Sequence, residues 1–384
     1  MRPSPGHLAA FIVGNSLLLP IGVVTALVWA NVAPHSYVPF TDKAHFLVND
    51  VGMTLFFALA AKEIVEATAP HGALHPLSKA ATPVVAALGG MVVPAVVYLA
   101  LVRAVELPQL HRGWAIPTAT DIALSFLVAR WLFGRDHPAV PFLLLLAVAD
   151  DAFGLVVLAL LYPADVVRPL MFAAILPVAL ALCWMFRRMR VMHFWPYIAI
   201  GGALSWLAFF NGGLHPALAL VPVVPFVPHA ARDEGIFEES PVPGRDPLSR
   251  FEHAVRVPTE VVLFLFGLVN GGVALRQIGA GTWIVVAALV VGKPLGIAAA
   301  TFAASAVGAR RPSALTLRDV VAIGCAAGVG FTVALFFATA AFPDGDLLDQ
   351  TKMGALFSLS AAPLAALVAM LLRVGRFGRS QAPT

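Results

Sequence analysis

The stretch AVADDAFG places two adjacent carboxylates, Asp150 and Asp151, near the centre of an apolar run from about residue 139 to 161. At a helical rise of about 1.5 Å per residue, roughly 16 Å of hydrophobic helix would lie on either side of the pair. A charge at that depth costs on the order of 2.5–3.5 kcal/mol on insertion scales. Carboxylate oxygens suit protons and hard cations such as Na⁺ or Li⁺. The pair therefore predicts a site for such ions within a membrane.

Lys293, in VVGKPLGI, is the natural partner for one of these carboxylates, since it is the cation that falls within a predicted membrane span. Successive helix positions differ by about 100°, so Asp150 and Asp151 must point in different directions. One carboxylate can meet a fixed partner while the other faces a water-filled cavity. A buried ion pair that only specified helix packing would need a single Asp. Asp121 makes a third intramembrane carboxylate, and the surplus negative charge calls for protons or a cation.

A second polar segment, GWAIPTATDIALSF, carries Asp121 together with Pro117, Thr118 and Thr120. Proline removes a backbone donor and frees the carbonyl four residues earlier. Threonine hydroxyls can satisfy such freed groups inside a membrane. The segment therefore predicts a break in its membrane helix, with helix ends and bare carbonyls facing the protein interior.

A matching irregularity lies in CAAGVGFT, which contains Gly328, Gly330 and Thr332. Glycines in membrane helices can instead simply allow close packing. The two irregular segments, however, are the fourth and eleventh predicted spans, and each is the middle helix of a three-helix group. The two groups, 80–161 and 282–372, are expected to have opposite membrane orientations. Paired interrupted helices in inverted repeats indicate the midplane site of a secondary transporter.

The composition requires lipid around these helices. Hydrophobic residues make up 60% of the 384 residues and charged residues only 12%, whereas an ordinary soluble domain is about 25% charged. The basic residues are scattered singly between apolar segments, which leaves no dense patch for nucleic acid. Cys183 and Cys325 lie within apolar runs, so we expect packed thiols rather than a disulfide or metal site.

About twelve apolar windows of membrane-spanning length predict an all-α integral membrane protein with a single transporter domain over 1–384. Most Lys and Arg residues lie in segments that are inside if both termini are cytoplasmic, which favours that topology. The one long polar loop, 229–257, is then cytoplasmic, and the first window is a retained helix rather than a secretory signal. The windows lie near 9–31, 46–67, 80–102, 113–133, 139–161, 169–187, 194–210, 213–228, 258–275, 282–305, 319–342 and 353–372.

Over most of its length the chain resembles the NhaA family of Na⁺/H⁺ antiporters. The resemblance implies Asp151 as the principal cation ligand and Asp150 as a neighbour that can pair with Lys293. It also implies that Asp121, with Thr120, lies where two broken helices cross and compensates their dipole ends. The implied activity is electrogenic, alternating-access exchange of Na⁺ or Li⁺ for more than one proton, without a cofactor, in the bacterial inner membrane. The matching stretches, of which TDIA, DD and GKPLGI together are the most specific, are NDVGMTLFFALAAKE, AALGGMVVPA, GWAIPTATDIA, AVADDAFG, GLHPALA, RFEH, GLVNGGV, VGKPLGI and GVGFTVALF.

The region that the family associates with pH response is only partly matched. The candidate pH-response residues are Glu63, Glu252, His253 and His215. The basic pair that usually follows the matching glutamate is replaced by Val65 and Glu66, so the resemblance leaves the activation range open. From position alone, Glu63 would be a solvated charge at a helix end. The position of His215 fits a helix-end contact and a pH sensor equally well.

Three further expectations concern charges and connections near the ends of spans. Glu260, which follows Pro258, is expected near a helix N-terminus, where the helix dipole favours a carboxylate. Asp50 is expected to be a cap or rim charge, and Phe264 replaces a proline usual in the family. The link 37–49 is too short for the external β-hairpin that joins two subunits in the best-known relatives. We therefore expect a monomer, or a weak homodimer formed through lipid-facing helices or bridging lipid.

Other functions share some of these features. An intramembrane aspartyl protease also uses two buried carboxylates, but it needs them on separate helices and usually has a GxGD element, which this sequence lacks. A sodium-coupled symporter of an organic solute on a related fold is the main alternative, and it would need a larger polar cavity. A degenerate relative that senses pH without transport is a third. Ion flux in proteoliposomes, compared for Na⁺, Li⁺ and K⁺ under a pH gradient, separates these functions.

Overall fold

The computed structural model describes residues 18–70, 72–75, 77–229, 246–308 and 315–378. Within these ranges the chain forms helices and no strands, so the predicted all-α class is confirmed. Six helices there are long and apolar enough to cross a membrane, or up to eight spans if each of two bent helix pairs counts as one. Two shorter apolar helices accompany them. The exact number of spans, for which the sequence predicted about twelve, stays a prediction.

The α-helices follow one another with short π-helical and 3₁₀ segments between some of them. Two of the π-helical segments are Phe46–Gly52 and Ala288–Gly292. The α-helices are α1 Leu18–Val32, α2 Pro34–His45, α3 Met53–Thr68, α4 Leu77–Ala104, α5 Ile122–Phe133, α6 Ala139–Leu161, α7 Pro169–Arg188, α8 Ala203–Gly212, α9 Pro247–Asn270, α10 Ala280–Ala287, α11 Lys293–Ala306, α12 Leu317–Ala327, α13 Phe331–Ala341, α14 Asp346–Phe357 and α15 Ala361–Leu372.

The described residues divide into two units. The first takes the residues up to 73 and those from 155 to 274, and the second takes 74–154 and the residues from 275 onward. The second unit therefore contains both predicted repeats, apart from the last turns of α6. The inverted relation of these repeats stays a prediction.

Close backbone contact between α4 and α11 shapes the second unit. A Cβ atom added to Gly89 would lie 2.4 Å from the carbonyl oxygen of Gly296, and one added to Gly296 would lie 2.1 Å from that of Gly89. Small residues at such positions let two membrane helices approach closely. At the next residue of α4, a Cβ on Gly90 would lie 2.9 Å from Ile297 and 3.8 Å from the Lys293 Cδ atom. The glycines thus let α11, which begins at Lys293, pack directly against α4.

Both predicted helix breaks are present in the second unit. The 3₁₀ helix Pro108–Thr118 meets α5 at a bend of 54°, and α12 meets α13 at a bend of 51°. An 11-residue 3₁₀ helix is unusually long, because this geometry is mostly limited to short runs. Leu110, Gly113 and Ile116 recur every third residue and are all buried. This spacing gives a 3₁₀ helix one continuous buried face.

In the first unit, α9 begins earlier than the sequence reading placed it. The predicted loop 229–257 includes residues 230–245, which lie outside the described part of the chain, but α9 already starts at Pro247. The Asp246 carboxylate caps it by accepting hydrogen bonds from the amides of Leu248 and Ser249. The expectation that Glu260 starts a helix is therefore wrong. Glu260 is buried in the interior of α9, because an Asp–Pro start signal lies upstream.

The segment between the first two predicted spans is itself helical. Residues 34–45 form α2, which runs into the π-helical segment that leads to α3. Tyr37 fastens α2 to the end of α9: its hydroxyl donates to the Leu268 carbonyl at 2.9 Å and accepts from the Gly272 amide at 3.0 Å. The short link expected in the sequence is thus an ordered helix, and the oligomeric state stays a prediction.

Candidate ion-binding site

Lys293 and Asp150 form a buried ion pair in the second unit. The Lys293 Nζ atom donates to Asp150 Oδ2 at 2.7 Å, and the two residues are 0% and 3% exposed. The ammonium also donates to the main-chain carbonyl of Thr118, at the end of the 3₁₀ helix. The Lys293 ammonium therefore joins α11 to α6 and to the first broken helix. It also compensates the negative end of the helix that ends at Thr118.

Asp151 is oriented differently from its neighbour, as the helical periodicity predicts. It is half-buried and interacts electrostatically with Lys293. Gly154 lies three residues along α6, on the same helix face. A Cβ atom added to Gly154 would meet no heavy atom within 4 Å. Asp151 is thus the more accessible carboxylate of the pair, and it lies beside an open face of α6.

Asp121 caps the N-termini of α5 and α13, which are the second halves of the two broken helices. Its Oδ1 atom accepts from the Leu124 amide of α5 at 3.0 Å. Its Oδ2 atom accepts from the Thr332 amide of α13 at 3.2 Å, and from the Thr332 hydroxyl. A carboxylate at such positions satisfies unpaired amides and opposes the positive ends of the helix dipoles. This geometry gives Asp121 a bridging role between the two breaks.

The two broken helices cross at the residues just before Asp121. The Thr120 hydroxyl donates to the Ala327 carbonyl at 3.2 Å, and the Asp121 amide donates to the Val329 carbonyl at 2.7 Å. Thr120 also interacts with the Asp150 carboxylate. Gly330 permits the crossing, because a Cβ there would lie 2.9 Å from the Ala119 carbonyl oxygen.

The structure brings together most of the residues singled out around the breaks. Pro117 is buried in the last turn of the 3₁₀ helix, one residue before the carbonyl that Lys293 binds. Gly328 ends α12, where a Cβ would lie 3.1 Å from the Leu289 carbonyl oxygen. The polar groups at the crossing thus come from α6, α11 and both broken helices, and all of them belong to the second unit.

The candidate pH-response residues lie in the first unit, where Glu63 and Glu252 both contact Lys62. The sequence did not single out Lys62. Its Nζ atom lies 2.6 Å from a carboxylate oxygen of Glu66, 2.7 Å from one of Glu252 and 3.3 Å from one of Glu63. Glu63 is therefore an ion-paired residue rather than a solvated helix end. The Lys62–Glu66 spacing of four was a readable helix signal. His253 is exposed on α9.

Asp50 and His215 lie together elsewhere in the first unit. His215 Nδ1 is 3.7 Å from Asp50 Oδ1, and the Asp50 main-chain carbonyl accepts from the Trp206 ring nitrogen at 3.0 Å. Beside them, Asn49 and Asn270 exchange two side-chain hydrogen bonds of 3.1 and 2.8 Å. Asp50 is thus not a simple rim charge. The buried amide pair was missed because neither residue carries a charge or a motif.

Crossing half-helices around a buried ion pair within a bundle of apolar helices define a secondary transporter of the membrane. The family described as Na⁺/H⁺ antiporter 1 matches residues 8–372. The chain is 47% identical over 369 residues to the Na⁺/H⁺ antiporter NhaA 2 of Pelobacter propionicus, covering 94% of this chain and 96% of that protein. It is 44% identical over 411 residues to the NhaA antiporter of Jannaschia sp., covering 95% and 97%. The chain belongs to the NhaA family of Na⁺/H⁺ antiporters.

A solved structure shares the fold at much lower sequence similarity. The sodium proton antiporter MjNhaP1 of Methanocaldococcus jannaschii, determined at pH 8, matches with a TM-score of 0.58 and 13% identity. The match covers 95% of this chain and 92% of that protein. The likeness supports the predicted transporter fold.

Proposed function

We propose that this protein exchanges Na⁺ or Li⁺ for H⁺ across the bacterial inner membrane by alternating access. The observation that carries the proposal is the buried Lys293–Asp150 pair with the more accessible Asp151 beside it. The Lys293 ammonium holds the Asp150 carboxylate, while the neighbouring Asp151 carboxylate lies beside the open face of α6 at Gly154. A transported cation and a proton then compete for the oxygens of Asp151.

The charges of the site suggest how more than one proton moves per cation. Without a cation, Asp150 pairs with Lys293 and Asp151 holds a proton. An incoming cation takes that proton's place on Asp151 and competes with Lys293 for Asp150. A buried lysine that loses its partner gives up its proton readily. One cation is then exchanged for two protons, and each cycle moves one net charge across the membrane.

Asp121 and Thr120 have a supporting role in this proposal. Asp121 compensates the positive ends of α5 and α13, and Thr120 links the crossing to Asp150. The half-helix ends offer fixed dipoles near a site whose charge changes as protons and cations bind, and half-helix ends at the ion site recur in transporters. Gly328, Gly330 and Pro117 allow the backbone to break and cross there.

Regulation by pH is proposed for the first unit. The ion cluster of Lys62 with Glu63, Glu66 and Glu252 joins α3 to α9. It supplies a basic group where the family's usual basic pair is missing. His215, beside Asp50, and the exposed His253 are the further candidates. Changes in protonation at these groups would alter how the helices of this unit are joined.

The experiment that tests antiport is ion-driven proton flux in proteoliposomes. An imposed pH gradient should collapse on addition of Na⁺ or Li⁺ and persist on addition of K⁺. Protein-free liposomes and liposomes with the Asp151→Asn variant are the controls. Absence of Na⁺- and Li⁺-driven proton movement by the wild type would contradict the proposal. Sodium flux that required an organic solute would favour the symporter instead.

A further inference from the structure

Several backbone groups at the helix crossing form hydrogen bonds with side chains, and one of these side chains, Ser358, belongs to neither broken helix. Asp121 accepts a hydrogen bond from the Thr332 amide, and Lys293 donates one to the Thr118 carbonyl. The amide of Gly330, the residue just before α13, donates instead to the Ser358 hydroxyl at 3.3 Å. Ser358 carries no charge.

Ser358 is built to accept this hydrogen bond. It is 0% exposed and opens the 3₁₀ turn Ser358–Ser360 between α14 and α15. Its hydroxyl donates to the Ala355 carbonyl at 2.6 Å. Because that bond uses the single hydroxyl proton, the lone pairs of the oxygen remain for the Gly330 amide. The orientation of the hydroxyl is therefore fixed by the end of α14.

Gly330 packs directly against the first broken helix. The Ala119 carbonyl oxygen lies 2.9 Å from the position of an added Cβ, so the backbones of the two broken helices are nearly in contact. Ala119 directly precedes Thr120 and Asp121, and Gly330 lies two residues before Thr332. A shift of Gly330 therefore displaces both ends of the Asp121–Thr332 hydrogen bonds.

We propose that Ser358 is a positioning residue of the ion site. Its hydroxyl holds the amide of Gly330, directly before α13, and through it sets the crossing at which Thr120 meets Asp150. The inference rests on the proposed function, in which Asp150 and Asp151 bind the transported cation. Ser358 does not touch the cation. It acts through Gly330, Thr332 and Asp121.

Removal of the hydroxyl should therefore change cation affinity more than it changes the amount of folded protein. Ser358→Ala leaves the buried Gly330 amide without its acceptor, and the apparent KM for Na⁺ and Li⁺ should rise on the order of tenfold. Ser358→Thr keeps the hydroxyl and should restore most of the affinity. Ser360→Ala, at an exposed serine in the same turn, is the matched control and should behave as the wild type.

The test measures KM and maximal rate separately in proteoliposomes, together with the amount of protein inserted and its melting temperature in detergent. A higher KM in Ser358→Ala, with recovery in Ser358→Thr, supports the positioning role. If Ser358→Ala melts earlier but keeps the wild-type KM, the residue only packs helices and the inference is overturned.

A second variant keeps the test decisive if Ser358→Ala does not fold. Ser358→Cys preserves the side-chain volume but accepts hydrogen bonds weakly, so its KM should lie between those of the wild type and the expected alanine variant. A wild-type KM in Ser358→Cys would overturn the inference. An inactive wild type would instead contradict antiport itself, so the two failures are distinguishable.

Discussion

Lys293 Nζ lies 2.7 Å from Asp150 Oδ2, and both residues are buried almost completely. The same ammonium binds the Thr118 carbonyl, which ends the 3₁₀ half-helix. The Lys293 side chain thus joins the Asp150 carboxylate to the backbone of a broken helix. Loss of this lysine should therefore affect both stability and charge transfer.

Lys293→Gln should destabilise the protein by about 3–5 kcal/mol, because it leaves Asp150 buried without its counter-charge. Exchange should also move toward electroneutrality, since the lysine no longer carries a proton. The measurement is transport under an imposed membrane potential. An unchanged voltage response would argue against a proton-carrying lysine. The double variant Lys293→Gln/Asp150→Asn removes both charges and should recover part of the lost stability.

Asp151→Asn should abolish cation-driven proton release, because the amide can neither bind a proton competitively nor offer a charged oxygen pair. Proton flux should fall to the level of protein-free vesicles, while the melting temperature stays near that of the wild type. Asp150→Asn should also be severe, but it should lower the melting temperature because it breaks the buried pair. Near-normal exchange by Asp151→Asn would contradict the assignment of the principal ligand.

Gly154→Phe should slow transport severalfold without unfolding the protein. A side chain there meets open space, and it lies on the same face of α6 as Asp151, so a large ring would cover the approach to the carboxylate. The matched control is Val156→Phe, two positions along α6, where the native side chain is 55% exposed. Flux and melting temperature are measured for both variants. Equal rates in the two would show that the Gly154 face is not the approach to Asp151.

Lys62→Glu should destabilise the junction of α3 and α9, because it replaces the shared cation with a fourth carboxylate. The pH dependence of exchange should change with it if this cluster takes part in pH response. Adding Glu252→Lys to the same chain restores an opposite-charge pair and should recover both properties. The pH profile of flux and the melting temperature are the readouts. A profile unchanged in Lys62→Glu would remove the cluster from pH regulation.

The protein should be active as a monomer, because the ion pair and both broken helices belong to one chain. Residues 34–45 are helical, so they offer no external hairpin for a partner. Any dimer formed through lipid-facing helices lacks a hydrophobic driving force and should dissociate in detergent. Native mass spectrometry across detergents, followed by flux from reconstituted monomers, checks this. Inactive monomers, or a dimer that survives harsh detergents, would contradict it.

The central site could be predicted from the sequence because a charge inside a membrane can be stabilised in only a few ways. An apolar run leaves a buried aspartate little choice of partner, and Lys293 was the available cation. The break at Pro117 was equally constrained, since a proline beside threonines frees carbonyls that must find donors. The glycines at the second break supported the same conclusion only through their matching position. Local chemistry therefore predicted both breaks and the buried ion pair.

Features that depend on which helices are neighbours were not predictable in this way. The contact of Lys62 with Glu252 joins residues far apart in sequence, and Ser358 meets Gly330 only because α14 ends beside α13. The early start of α9 is different, because the Asp246–Pro247 pair that caps this helix is a local sequence signal. The buried face of the long 3₁₀ helix also has a three-residue spacing in the sequence. Pro117 predicted the break in this segment but not its 3₁₀ geometry.

The 3₁₀ geometry of residues 108–118 has a consequence for depth. At about 2.0 Å per residue the eleven residues cover roughly 22 Å, whereas an α-helix of the same length would cover about 16 Å. The hydrocarbon layer is about 30 Å thick, so the 3₁₀ geometry lets these eleven residues reach further across such a layer than an α-helix of the same length would. The depth at which Lys293 meets the Thr118 carbonyl is therefore determined by the hydrogen-bond pattern of the preceding segment, as well as by the number of residues in it.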